Sequence, residues 1–218
     1  MPSDEKPMIV VLGPYRSGTS CVAGVLWNLG VHMGRKQHVI SGSQALTFED
    51  KALQTILSVC LKEPGAPEVA IDDLELALGR WARRHRDDGG LQEKRCGAKH
   101  PLLCSVIPIL ARQFAPVIAV SVERPLEESI VSLQLQDWWG MSPRAYASPQ
   151  QQIFDHRQRH LHEIDHITLA YQDVLDAPEE TITRLAQNLG LETTDAQLQA
   201  AINSVERRAI GRQPGGTI

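Results

Sequence analysis

Residues 8–30 read MIVVLGPYRSGTSCVAGVLWNLG, and the order of residue types in this stretch decides the fold. Met8 to Leu12 is an unbroken apolar run, the pattern of a strand buried on both faces of a parallel sheet. Past the turn, Val22, Val25, Leu26 and Leu29 recur at helical spacing, and Gly30 supplies the positive φ that ends a helix. Between strand and helix lies Gly13-Pro14-Tyr15-Arg16-Ser17-Gly18-Thr19-Ser20. A strand, a glycine-bracketed turn and a helix N-terminus gather unpaired N–H groups and the positive end of a helix dipole at one point, which suits a phosphate.

The loop departs from the nucleoside-triphosphatase pattern G-x-x-x-x-G-K-[ST], in which the lysine reaches the β- and γ-phosphates. Gly13 and Gly18 have the right separation, but Thr19 stands where that lysine belongs, and the basic residue, Arg16, is inside the turn. Cleavage of a β,γ bond needs strong positive charge at the far end of a triphosphate, so this loop suits a shorter anionic group.

A second strand-to-helix passage lies about a hundred residues on. Val117 to Val122 reads as another buried strand, followed by Glu123-Arg124-Pro125 and a helical segment carrying Ile130, Leu133 and Ser132. A guanidinium at the strand end and a hydroxyl two helical turns later can hold one phosphate from two sides. Further segments of interest are Gly97-Ala98-Lys99-His100-Pro101, Tyr171-Gln172-Asp173-Val174-Leu175 with the helix after it, and the basic run Val205 to Arg212.

In order and spacing these segments resemble the sulfotransferases that use 3′-phosphoadenosine-5′-phosphosulfate (PAPS), of bacterial type and closest in motif to the protein-tyrosine and carbohydrate branch. The matched segments run from residue 8 to about residue 212. The resemblance implies a three-layer α/β P-loop-type fold with a central parallel sheet that includes Met8 to Leu12, Val117 to Val122 and Ile167 to Ala170. It implies that Arg16, Ser17, Gly18, Thr19 and Ser20 hold the 5′-phosphosulfate, and that Arg124 and Ser132 hold the 3′-phosphate. Tyr171 would lie near the adenine, and Arg208 would belong to a loop closing over the 3′-phosphate. Lys99 would sit near the transferred sulfuryl group, and Arg16 would share in catalysis. It further implies an acceptor bearing a hydroxyl (sugar, phenol, metabolite or protein side chain) and transfer without a metal ion.

Removing the acceptor's proton calls for a carboxylate or imidazole within hydrogen-bond reach. Thr47-Phe48-Glu49-Asp50 is similar to a Gly-Tyr-Phe-Glu-Asp form found in bacterial members, with Leu46-Thr47 in place of Gly-Tyr, so Glu49 is the candidate base. His38 and His32 are its rivals. As plain structure, Glu49 and Asp50 would be solvated acids at a helix start, and Lys99 an exposed residue at a strand end.

The chain has 218 residues, 42% of them apolar, and is read as one domain over 1–218. With 22 Lys and Arg against 26 Asp and Glu, the net charge of −4 disfavours general electrostatic binding of nucleic acid. Nothing approaches the ~18 apolar residues of a membrane span. Met1 to Pro7 is polar and unlike a signal peptide, and the four cysteines show no C-x-x-C pair, so a cytoplasmic protein with reduced thiols is expected. Residues 32–43 read as loop, Leu53 to Leu61 and Ile71 to Trp81 as helices, and Arg83 to Lys94 as a solvated turn. His156, His160 and Glu163 have metal-like spacing, but Arg157 and Arg159 make their segment read as a solvated helix face. Trp138-Trp139 is a candidate for the acceptor pocket or a core cover.

Two other functions fit the loop. A kinase or nucleotide hydrolase would need Mg²⁺ and an acid at a strand end, for which Glu123 is the candidate; an inactive nucleotide-binding module would lack the base. The sequence leaves oligomeric state open.

Overall fold

The computed structural model describes residues 6–34, 37–39, 46–60, 71–90, 93–135 and 142–210. Its centre is a parallel four-stranded sheet of β1 (Met8–Leu12), β4 (Gly97–Lys99), β5 (Val117–Glu123) and β6 (Asp165–Ala170), in the order β4-β1-β5-β6. β1 is central: Val11 pairs with Lys99 on one side and Val120 on the other, so the C-terminal ends of three strands meet at one edge. The three expected strands are present, with β5 running one residue further and β6 starting two residues earlier.

The uninterrupted apolar character of β1 follows from its two covered faces, and all five of its side chains are fully buried. Ile9 and Val11 pack with α1 (Thr19–Asn28), α8 (Pro178–Asn188) and α9 (Asp195–Ile210). Met8, Val10 and Leu12 pack with α2 (Lys51–Cys60), α3 (Ile71–Gly90), α4 (Ile107–Gln113) and Ile153 of α6 (Ala147–His160). Each such aliphatic side chain contributes roughly 1.5–3 kcal/mol by leaving water. The result is the expected three-layer α/β arrangement. Gly30, at φ 93°, ends α1 as read from sequence.

The sequence reading needs correction in three places. The segment after α1 is not all loop: β2 (Gln37–Val39) and β3 (Leu46–Asp50) form an antiparallel pair. Arg83 to Gly90 is not a solvated turn but the second half of α3, and His85 there is only 4% exposed, stacked between Trp81 and His32. The charged residues around it belong to the outer face of an amphipathic helix. Last, the basic run from Val205 continues α9 as far as Ile210 instead of forming a loop. Among the described residues no helix is long and apolar enough to cross a membrane.

Candidate functional site

The loop between β1 and α1 opens at the C-terminal edge of the sheet, where ligands of open α/β folds bind. α1 starts without a side-chain cap and with no acidic residue in its first turn. The N–H groups of Gly18, Thr19 and Ser20 therefore meet no carboxylate of their own helix, and an external anion can take them. α5 (Leu126–Gln134) differs, since Glu127 and Glu128 occupy its first turn. Gly18 cannot be another residue: its φ is 98°, and a Cβ there would lie 2.2 Å from the Tyr171 ring.

Arg16 joins two parts of the site. It adopts φ 64°, unusual for a residue with a side chain, and its Nε donates to Ser132 Oγ at 3.2 Å. Its carbonyl accepts from Arg124 Nη1 at 3.0 Å. Residues from the first loop, the end of β5 and α5 thus meet. Arg124 also donates from Nε to Glu128 and lies 5.8 Å from the centroid of the Tyr171 ring, within cation–π range. Ser17 is turned inward, its hydroxyl donating to Pro14 O at 2.8 Å, so it closes the turn.

On the opposite side of the loop stands an ion pair. Lys99 Nζ is 2.5 Å from Glu49 Oε1 and 3.0 Å from Ser20 Oγ. Neither member of the pair is solvated: the Lys99 side chain is 4% exposed and that of Glu49 10%. Both plain structural readings are therefore corrected. Asp50 serves the helix, its Oδ1 accepting from the N–H groups of Ala52 and Leu53 and from Trp81 Nε1. Five residues of β3 span the register that three residues of β2 cover, and Phe48 takes φ 57° within that bulge. Such a bulge re-aims the side chain that follows it, here Glu49.

His32 is buried against His85 and bridges Cys96, the residue before β4, whereas Lys99 is at that strand's end. It is not placed as a base beside the loop. The side chains of His38 and Arg208 lie outside the described ones, as do residues 138 and 139. His160 pairs with Glu163 at 2.6 Å, and among the described residues no three metal-ligating side chains are grouped.

Two residues of α6 escaped the sequence reading. Arg157 is not on a solvated face; it is 2% exposed and donates from Nη1 to Val122 O at 2.7 Å. Gln150 is fully buried and bonds the backbone of Tyr15. Polar residues in a helix of low overall hydropathy carry no local sign of burial. A cavity of about 730 Å³ beside Arg124 is lined by Glu123, Arg157 and Tyr171 among others. Glu123, the acid considered for a hydrolase, is exposed at its rim.

No protein-family model matches the sequence, and no curated protein matches it by sequence. Solved structures do match by fold. A sulfotransferase from Mycobacterium avium superposes with a TM-score of 0.59 at 12% identity, over 96% of this chain and 69% of that one. Sulfotransferase STF1 from Mycobacterium tuberculosis gives 0.58 at 18% identity, over 94% and 77%. The sulfotransferase domain of the curacin biosynthetic pathway gives 0.54 at 15% identity, over 91% and 78%. The chain has the α/β fold of these sulfotransferase domains, with its parallel four-stranded sheet between helices.

Proposed function

We propose that this protein is a sulfotransferase that moves the sulfuryl group of PAPS to an acceptor hydroxyl. The observation that carries this is Arg16, which connects the loop to both Arg124 and Ser132, so that one donor could meet the loop with one phosphate and Arg124 and Ser132 with another. A site for a single terminal phosphate would not need the second. The shared fold of the sulfotransferase domains agrees with it.

The residues fit such a donor. The acid-free N-terminus of α1, with Gly18, Thr19 and Ser20, would take the 5′ end; Arg124 and Ser132 would take the 3′-phosphate, with Tyr171 and the adjoining cavity beside them. When bound, PAPS supplies an electrophilic sulfur and a good leaving group. Glu49 would accept the acceptor's proton, and its burial keeps water from competing for it. Lys99, held by Ser20 and Glu49, would stabilise negative charge on the oxygen that departs. Arg16 would add positive charge at the loop. A positioned general base supplies about 10²–10⁴ in rate, and preorganised donors a comparable factor.

The test is release of adenosine 3′,5′-bisphosphate from PAPS with a panel of phenols, sugars and tyrosine peptides, in the presence of EDTA. Acceptor-dependent release supports the proposal. Turnover of ATP with Mg²⁺, and none of PAPS, would replace it with the hydrolase reading.

A further inference from the structure

Three successive carbonyls of the loop are each held, the first within the turn by Ser17 and the next two by residues distant in the chain. Pro14 O accepts from the N–H and Oγ of Ser17, Tyr15 O from Gln150 Nε2 at 2.7 Å, and Arg16 O from Arg124 Nη1. Gln150 does more than the others, because its Oε1 also accepts the Tyr15 N–H at 2.9 Å. One amide thus pairs with both backbone groups of one residue, as a neighbouring strand would.

We infer that Gln150 is a positioning residue that holds the loop in its anion-binding shape before any donor arrives. It is fully buried in the first turn of α6, 135 residues from its partner. A buried primary amide is costly unless its donors and acceptor are used, and here the backbone of Tyr15 uses both kinds. The next residue is Arg16, at φ 64°. A non-glycine residue stays in that region only where its surroundings fix it. Gln150 fixes the peptide before Arg16, and Arg124 fixes the one after it. With carbonyl 14 closed within the turn and carbonyls 15 and 16 held by Gln150 and Arg124, the N–H groups of Gly18, Thr19 and Ser20 would meet an anion without a reorganisation cost on binding.

The inference rests on the proposed PAPS site, and the experiment separates the two. Adenosine 3′,5′-bisphosphate and adenosine 3′-monophosphate are titrated calorimetrically into the wild type and Gln150→Met. The bisphosphate uses the loop, whereas the monophosphate relies on Arg124 and Ser132. The variant is expected to bind the bisphosphate about tenfold or more weakly, as for loss of one or two hydrogen bonds, and the monophosphate as the wild type does. Unchanged bisphosphate affinity, or equal losses for both ligands, overturns the positioning role. A wild type that binds neither ligand overturns the PAPS reading and this inference with it. Should Gln150→Met not fold, amide exchange of the ligand-free wild type decides: the Tyr15 N–H is expected to be protected, and exchange at the rate of an open loop overturns the role.

Discussion

Glu49 and Lys99 come from different sheets and meet at 2.5 Å, the carboxylate on β3 and the ammonium at the end of β4. If Glu49 removes the acceptor's proton, Glu49→Gln keeps its shape and its bond from Lys99 but loses that capacity. Turnover of PAPS is expected to fall by about 10²–10⁴, with affinity for adenosine 3′,5′-bisphosphate unchanged. Steady-state kinetics with calorimetry checks this, and full turnover in the variant would move the role elsewhere.

The same pair makes a stability prediction. Lys99→Met leaves a buried carboxylate without its cation, at an expected cost of about 3–5 kcal/mol in urea unfolding. Adding Glu49→Gln to it removes the charge and should recover most of the loss. A double variant no more stable than Lys99→Met would mean that the pair is not coupled as described.

His85 gives the chain a pH dependence. Burial pushes its imidazole below the ordinary range, and stacked His32 acts in the same direction, while the Gly97 carbonyl, Asp50 and Asp88 oppose them. The unfolded chain takes up this proton near pH 6.5 and the folded one only at lower pH. Stability tied to His85 is therefore whole above pH 6.5 and falls as the solution is acidified, by at most about 1.4 kcal/mol per pH unit. His85→Gln should flatten the curve between pH 7.5 and 5.5 in denaturant titrations, and an unaltered slope would exclude His85 as its source.

Arg124 separates the two ends of the proposed donor. Arg124→Ala is expected to weaken adenosine 3′,5′-bisphosphate by about ten- to a hundredfold, the worth of a charge-assisted bond. Binding of 5′-AMP should change by only a few fold, from the lost bond to Arg16 O. Equal losses in parallel titrations would remove the 3′-phosphate assignment.

The sheet and the loop were legible because their signals are local. Met8 to Leu12 announces a doubly covered strand by composition, and Gly18 stands where only glycine fits. Arg16, Arg124 and Ser132 could be singled out by type and spacing, and they meet in the structure. What the sequence hid depends on contacts between distant segments. Arg157 read as part of a solvated helix face and Gln150 carried no signal of its own, yet they bond the end of β5 and the loop and are buried there. Phe48 at φ 57° gave no sign of a bulge, so Glu49 could equally have been a helix-start acid. The charged outer face of α3 concealed a buried histidine on its inner one.

The central claim is that two phosphates of one adenine nucleotide are held by two connected places at the sheet's edge. Thermal or chemical unfolding with adenosine 3′,5′-bisphosphate in EDTA, beside ATP with and without Mg²⁺, tests it most directly. At a hundred times its Kd the bisphosphate should raise the unfolding free energy by about 2.7 kcal/mol without any metal. Stabilisation by ATP with Mg²⁺ alone, and none by the bisphosphate, would contradict the account.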